Sequence, residues 1–220
     1  MDSKKLAAEK AVEFLKDGMV VGLGTGSTAY WAIQKIGQKV KEGLSIKAIA
    51  TSRASEELAI ELGITMLPFA EIEQIDVTID GADEVNNEWN LIKGGGGALL
   101  REKIVAAASK QLIIIVDESK HVAQLGRFPL PVEIVPFGYE MTIRKLRNLG
   151  AETTVRTKDN QIFVTDNGNY IVDCQFGTIS QAEQLERTLN LIPGVVDNGL
   201  FIGMATKVIV GYANGTVKLL

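Results

Sequence analysis

Three short segments concentrate the groups that can hold an anion, move a proton or stabilise a developing charge. The first, Gly22-Leu23-Gly24-Thr25-Gly26-Ser27-Thr28, lies between an apolar run and a helical pattern. Its glycines permit tight turning and close backbone approach, the helix start offers N–H groups, and Thr25, Ser27 and Thr28 add hydroxyls, so the segment reads as an anion cradle. Ser27 stands where a dinucleotide fingerprint needs its third glycine, and no Gly-Lys-Ser/Thr follows as in a Walker A loop. A monophosphate therefore fits better than a nucleotide. The bland alternative is a glycine turn that only lets a helix pack.

The second segment, Asp80-Gly81-Ala82-Asp83-Glu84, ends an apolar strand pattern, where ligands of open α/β sheets gather. Its clustered carboxylates repel one another unless they meet hydroxyls, a lysine or a metal. A solvated acidic turn is the alternative, and a magnesium site would lack an accompanying nucleotide motif. The third segment is Lys93-Gly94-Gly95-Gly96-Gly97-Ala98-Leu99-Leu100-Arg101-Glu102-Lys103. Consecutive glycines cost roughly 0.5–1 kcal/mol each relative to alanine in regular structure, so a hinge or a ligand-hugging backbone must compensate. On a helix, Glu102 would be ringed by Ala98, Leu99, Val105 and Ala106; burial would raise its pKa and a nearby Lys93 would lower it. The alternative is a solvated Arg-Glu-Lys triplet. Lys120, after a long apolar strand, points toward the same rim. His121 reads as a surface or capping histidine, and Cys174 as a small buried hydrophobe.

These groups need a scaffold, and the patterning supplies one. Leu6, Ala7, Ala11, Phe14 and Leu15 share one helical face over residues 3–17, with Gly18 placed to end the helix. Strands are predicted at 19–23, 46–50, 64–67, 77–80 and 111–117, with helices from just after Thr28 to about Val40, at 53–62 and at 97–110 between them, the pattern of a doubly wound parallel sheet. Near Gly126-Arg127-Phe128-Pro129-Leu130-Pro131 the rhythm changes. Strands at 132–136 and 153–157, a helix at 138–149, two strands flanking the turn Asp166-Asn167-Gly168-Asn169, a helix at 180–190 and a strand at 194–201 follow in the order β-α-β-β-α-β, the ferredoxin-like split unit. The tail, with Asn214-Gly215 at its turn, reads as a hairpin returning to the first sheet. The expected organisation is a Rossmann-like catalytic domain of residues 1–128 and 202–220 with an inserted ferredoxin-like α+β domain of residues 129–201.

Composition narrows the chemistry. The 220 residues carry 23 Lys+Arg against 27 Asp+Glu, a net charge of −4, so no overall positive field draws in nucleic acid or anionic membrane, and any phosphate must be held locally. One cysteine and one histidine leave no internal disulfide, no multi-histidine metal site and little scope for Ser-His or Cys-His chemistry. Carboxylates, lysines and backbone dipoles are the remaining tools. No signal-peptide core or apolar run of membrane-spanning length is evident, which points to the cytoplasm.

The segments GTGST, DGADE and KGGGGALLREK, in this order and spacing, resemble those of the A-type ribose-5-phosphate isomerases, and the resemblance continues through LGRFPLPVEIVPF, VTDNGNYIVD and IPGVVDNGLF over nearly the whole chain. The resemblance implies interconversion of D-ribose 5-phosphate and D-ribulose 5-phosphate, the aldose-ketose step of the non-oxidative pentose phosphate pathway, without metal or coenzyme. It also implies Glu102 as the base moving a proton between C2 and C1, and Lys93 as the stabiliser of the enediolate oxygen, assisted by backbone N–H groups of Gly94, Gly95 and Gly96. Asp80 and Asp83, across Gly81 and Ala82, match the family's paired aspartates, which hold sugar hydroxyls and help open the furanose ring. Thr25, Gly26, Ser27 and Thr28 would hold the phosphate with Lys120 as a cationic partner, joined by either Lys4 or Lys5. The family forms dimers or tetramers, so a homodimer or homotetramer is expected.

Two other readings stand beside this one. A non-catalytic sugar-phosphate sensor would use the same cradle, yet no DNA-binding helix pair or basic patch accompanies it. An amino-sugar phosphate deaminase would need a histidine in ring opening, and an acyl-CoA transferase would need its glutamate to act as a nucleophile.

Overall fold

The structure, a computed structural model, describes residues 2–220. In chain order its elements are α1 (Ser3–Val12), β1 (Val20–Leu23), α2 (Ser27–Lys41), β2 (Lys47–Ala50), α3 (Arg53–Glu61), β3 (Thr65–Met66), β4 (Val77–Gly81), β5 (Glu84–Val85), β6 (Leu91–Ile92), α4 (Leu99–Ala107) and β7 (Leu112–Asp117). There follow β8 (Leu130–Ile134), α5 (Tyr139–Asn148), β9 (Glu152–Val155), β10 (Thr157–Lys158), β11 (Gln161–Ile162), β12 (Tyr170–Gln175), α6 (Ala182–Asn190), β13 (Val195–Asn198), β14 (Leu200–Phe201), β15 (Lys207–Gly211) and β16 (Val217–Leu219). They form two compact units. The first comprises the chain up to Ala82, Arg101–His121 and Met204–Leu220; the second comprises Asp83–Leu100 and Val122–Gly203.

The first unit is built on a seven-stranded sheet in the order β16-β15-β7-β4-β1-β2-β3, with β15 and β16 antiparallel and the other pairs parallel. The run Leu112-Ile113-Ile114-Ile115-Val116 of β7 is buried throughout, as a central parallel strand covered on both faces requires. Helix α2 buries Ala29, Ala32, Ile33, Ile36 and Gly37, the i, i+3, i+4, i+7, i+8 stripe of a helix lying on a sheet. Chain order reverses beside β1: β2 and β3 lie to one side, β4 and β7 to the other. The carboxyl ends of β1 and β4 therefore flank the switch point, where open α/β sheets bind ligands.

The second unit holds a four-stranded antiparallel sheet in the order β13-β8-β12-β9, the ferredoxin-like arrangement, together with a small sheet β14-β6-β5. Period-two alternation sorts its side chains. Leu130, Val132 and Ile134 of β8 and Val172 and Cys174 of β12 enter one core with Ile143, Leu146 and Leu189, while Glu133 and Asp173 lie on the other face. Glu133 is fully buried there, its Oε1 accepting from the Thr165 hydroxyl at 3.0 Å and the Asn169 amide at 2.9 Å, so it pins the hairpin between β11 and β12.

Three local departures from the sequence reading have clear causes. The first α-helix stops at Val12; residues 13–15 continue as i→i+3 turns, and Gly18, at φ +82°, donates to the Ser45 carbonyl at 2.7 Å instead of capping the helix. The strand predicted at 194–201 splits at Gly199, whose N–H reaches Pro131 and whose carbonyl accepts from Lys93, so β13 and β14 serve different sheets. Ahead of Tyr170 only Gln161–Ile162 and a bridge from Val164 to Tyr170 are extended. The C-terminal hairpin returns to the first sheet beside β7 as expected.

Candidate active site

In the first unit, residues 24–28 leave the end of β1 and start α2. Gly26 is the N-cap at φ +105°, a conformation that suits glycine, and it offers no side-chain cap to the helix N–H groups. A 15-residue helix beginning without a side-chain cap favours an anion there by its dipole and its donors. Ser27 and Thr28 open that first turn. The Lys4 ammonium, delivered by α1, lies 3.1 Å from the Ser27 hydroxyl. Lys5 turns away, over the Trp31 ring at 5.3 Å. Of the two lysines left open by the sequence, Lys4 is therefore the one at the cradle.

Thr25 is tied to the residues behind the loop. Its N–H donates to Asp80 Oδ1 at 3.1 Å, and its hydroxyl lies 2.7 Å from that of Thr51 and 2.9 Å from that of Ser52. Ser55 and Thr51 in turn donate to the carbonyls of Gly24 and Leu23, at 2.7 and 3.1 Å. This hydroxyl cluster fixes the loop from behind. The sequence reading missed it, although the hydroxyl-rich Thr51-Ser52-Arg53-Ala54-Ser55 after β2 was a visible signal.

Asp80 is buried at the end of β4, its Oδ1 shared by the N–H groups of Thr25 and Gly81, the latter at 2.7 Å. The approach is close enough that a Cβ on Gly24 would stand 2.1 Å from Oδ1. Glu102 is 4% exposed in the first turn of α4, and Val105, one turn on, packs against Gly22 of β1. A crossover helix runs antiparallel to its parallel strands, so this first turn lies at the carboxyl ends of β1 and β4. The helix starts at Leu99, so Ala98 precedes it; Leu99, Val105 and Ala106 are buried, and Glu102 is withdrawn from solvent. Lys120 and His121 follow β7 at the same edge, and Asp117 caps the short turn that carries them by accepting from the Ser119 N–H at 2.9 Å.

The second unit assembles the other predicted groups. Lys93 extends β6 and is 2% exposed, its N–H on the Gly199 carbonyl at 2.8 Å and its ammonium 5.4 Å from the Phe201 ring centroid. An ammonium kept from water beside an aromatic face is a strong point charge for an oxyanion. Asp83 is brought to the glycine run: its Oδ2 accepts from the Gly95 N–H at 2.7 Å. The run itself turns, with Gly97 donating back to the Gly94 carbonyl at 2.9 Å and Gly94 and Gly97 at φ +101° and +81°.

The clustered carboxylates of DGADE are thus each met by different backbone N–H groups. Asp80 takes N–H groups of the first unit, Asp83 takes the Gly95 N–H, and buried Glu84 accepts from the N–H groups of Gly126 and Phe128, both at 2.7 Å. Glu84 is a fold pin of the second unit. Cys174 is buried, and burial, aided by the charge of Asp173, pushes its thiol up to about 12, the small-hydrophobe role read from sequence. Among the described residues no group of three or more His, Cys, Asp and Glu could hold a metal ion, and no helix is long and apolar enough to cross a membrane.

Comparison with known proteins identifies the family. Residues 47–215 match the family described as ribose 5-phosphate isomerase A (phosphoriboisomerase A). The chain is 58% identical to ribose-5-phosphate isomerase A of Bacillus thuringiensis subsp. konkukian over the full length of both, and 47% identical to that of Listeria monocytogenes, covering 100% and 99% of the two chains. Among solved structures, ribose 5-phosphate isomerase A from Methanocaldococcus jannaschii superposes with a TM-score of 0.94 at 43% identity, over 100% of this chain and 98% of that one. A D-ribose-5-phosphate isomerase in complex with phospho-erythronic acid superposes with a TM-score of 0.95 at 41% identity, over 100% and 97%.

Proposed function

The chain belongs to the ribose 5-phosphate isomerase A family and is an aldose-ketose isomerase acting on D-ribose 5-phosphate and D-ribulose 5-phosphate; from that premise we propose how its residues divide the work. The phosphate sits on the N-terminal N–H groups of α2, held by Gly26, Ser27 and Thr28 with the ammonium groups of Lys4 and Lys120. Thr25 stiffens this cradle from behind. Asp80 and Asp83, with the intervening Gly81 and Ala82, hold sugar hydroxyls and assist opening of the furanose ring.

In the open chain Glu102 removes the proton at C2, and the electron pair moves through the new C1–C2 double bond onto the aldehyde oxygen O1. Lys93 and N–H groups of the Gly94–Gly96 segment, whose Gly95 N–H also holds Asp83, stabilise the resulting enediolate. The proton on Glu102 returns to C1 while the hydroxyl proton passes from O2 to O1, which leaves the ketone at C2. Atoms and charge balance with no electron acceptor. The phospho-erythronic acid bound by a structural relative is an acid of the kind that mimics such an anionic intermediate, which supports this course.

The observation that carries the reading is the switch point. Cradle and Asp80 emerge from the adjacent parallel strands β1 and β4 and are tied there by the Thr25–Asp80 hydrogen bond. The test is a ketose-formation assay. Glu102→Gln should lower kcat at least about 10²-fold with substrate binding kept, and Lys93→Ala should also depress kcat, the sizes expected for loss of a base and of an oxyanion donor. Turnover retained in Glu102→Gln would remove Glu102 from the mechanism.

The exposed apolar side chains Phe137, Met141 and Leu191 of the second unit support self-association as a homodimer or homotetramer, which equilibrium sedimentation reads directly. A cytoplasmic location fits a substrate whose charged phosphate keeps it inside a membrane-bound compartment.

A further inference from the structure

The glycine run owes its shape to a side chain more than 60 positions away in sequence. Arg156, just beyond β9, is 15% exposed at its side chain and forks onto Asp173 of β12: Nε donates to Oδ2 at 3.0 Å, and an Nη2–Oδ1 contact completes a bidentate pair. Its Nη1 donates to the Gly94 carbonyl at 2.7 Å and the Gly95 carbonyl at 3.2 Å. All five donors of a guanidinium lie in one plane, so a group locked edge-on to a carboxylate presents Nη1 in one fixed direction.

A trans peptide holds its C=O and N–H antiparallel. Fixing the Gly94 carbonyl on Arg156 therefore aims the Gly95 N–H the opposite way, and it meets Asp83 at 2.7 Å. Fixing the Gly95 carbonyl aims the Gly96 N–H to that same side. Consecutive glycines have no side chains to choose among the many conformations open to them, so the choice has to come from outside the run. Phe163 supplies a second restraint, since a Cβ on Gly97 would stand 2.5 Å from its ring.

We propose that the Arg156–Asp173 pair is a positioning device for isomerisation, orienting the Gly95 and Gly96 peptides so that Asp83 and the enediolate-binding N–H groups stand ready before substrate arrives. Arg156 acts through the backbone and touches no reacting atom. The proposal rests on the assignment of the glycine run to enediolate stabilisation. A misoriented oxyanion donor weakens the transition state far more than the ground state, so the loss should fall on kcat.

The experiment measures kcat, KM and Tm for Arg156→Ala, Arg156→Lys and Asp173→Asn in the full-length protein. Arg156→Ala should lose about 10- to 100-fold in kcat, the range for a misplaced reacting group, with KM for ribose 5-phosphate within about threefold. Millimolar guanidinium chloride, set against matched sodium chloride, should restore part of that kcat, entering through the cavity of about 450 Å³ lined by Arg156, Asp173, Gln175 and Phe128. Arg156→Lys keeps the charge without the fork and should stay impaired at an unchanged Tm; it carries the test where the alanine variant does not fold. Asp173→Asn should fall between. A kcat within about threefold of wild type in Arg156→Lys, or losses that follow Tm with no guanidinium response, would overturn the proposal, because a merely structural arginine gives that pattern. Normal kcat in the Arg156 variants beside an inactive Glu102→Gln sinks the positioning role alone, whereas an active Glu102→Gln sinks the underlying mechanism.

Discussion

Gly24 is the position where fold and chemistry are most tightly joined. An alanine there would place its Cβ 2.1 Å from Oδ1, 2.3 Å from Cγ and 2.6 Å from Cα of Asp80. These distances fall well inside the separation of about 3.5–4.0 Å at which carbon atoms attract. The Cα belongs to a central strand and cannot retreat. The carboxylate can swing aside only by leaving the N–H groups of Thr25 and Gly81. Overpacking costs about 1–3 kcal/mol and each lost hydrogen bond to a charged group about 1.5–3 kcal/mol, partly overlapping, so Gly24→Ala should destabilise by about 3–5 kcal/mol. At about 2–4 °C per kcal/mol for a chain of this size, Tm should fall by about 6–20 °C. Displacement of Asp80 should also cut kcat/KM at least about 10²-fold at temperatures where the variant is folded. Gly81→Ala is the internal control. Its Cβ would meet nothing closer than 3.9 Å, so its stability should change by less than about 1 kcal/mol. Scanning calorimetry with the ketose-formation assay decides the matter: a Gly24→Ala protein with wild-type Tm and turnover would refute the view that the bare Gly24 backbone holds the Asp80 site.

Two further outcomes follow from the same geometry. Lys4→Ala and Ser27→Ala should chiefly raise KM, by up to about tenfold, with kcat retained, because the proposed role of both is to hold the phosphate and not the reacting carbons; steady-state kinetics showing the reverse split would exchange the anchoring and electrostatic roles. Cys174, its thiol pushed up to about 12 chiefly by burial, should resist alkylation at mildly alkaline pH until the protein unfolds, which mass spectrometry of iodoacetamide-treated protein reads. The linkage sign follows: the folded pKa exceeds the unfolded value of about 8.5, so the thiol's contribution to stability is full below that pH and is lost as pH rises toward the folded value.

Much of this was legible in the sequence because local signals suffice for it. An apolar run ending in a glycine-rich turn marks the carboxyl end of a parallel strand, and Gly22–Thr28 and Asp80–Glu84 each follow one. The β-α-β-β-α-β rhythm likewise needs only periodicity and turns. What stayed hidden depends on contacts between distant residues. Asp80, Asp83 and Glu84 look alike in sequence, yet the first seats in the β1 loop, the second on Gly95 and the third on Gly126 and Phe128, and only tertiary pairing assigns those partners. The break at Gly199 is of the same kind: an extended segment passes from one sheet to another because its backbone groups meet Pro131 and Lys93. Arg156 carries no motif at all. It follows a short strand of Thr and Val, and its fork on Asp173 arises because alternation puts Asp173 on the face of β12 away from the core.

A chain of net charge −4 whose substrate is itself an anion cannot rely on its overall field to capture it. On the proposed roles its carboxylates add to the difficulty, since a base and sugar-holding aspartates would work close to that anion. The structure meets both demands with backbone N–H groups, which neutralise charge locally without adding a mobile cation. Gly24 and Gly95 let carboxylates come within reach of such groups, and Gly26 leaves the first turn of α2 without a side-chain cap. Lysines are then needed at few points, which leaves Lys93 available for the role proposed for it at the enediolate. A backbone donor works only if its peptide is held, and this explains why each run of glycine is gripped from outside: residues 24–26 by the Thr51, Ser52 and Ser55 hydroxyls, and residues 94–97 by Arg156 and Phe163. The grip and the bare backbone are two halves of one device, and removing either should cost the same step.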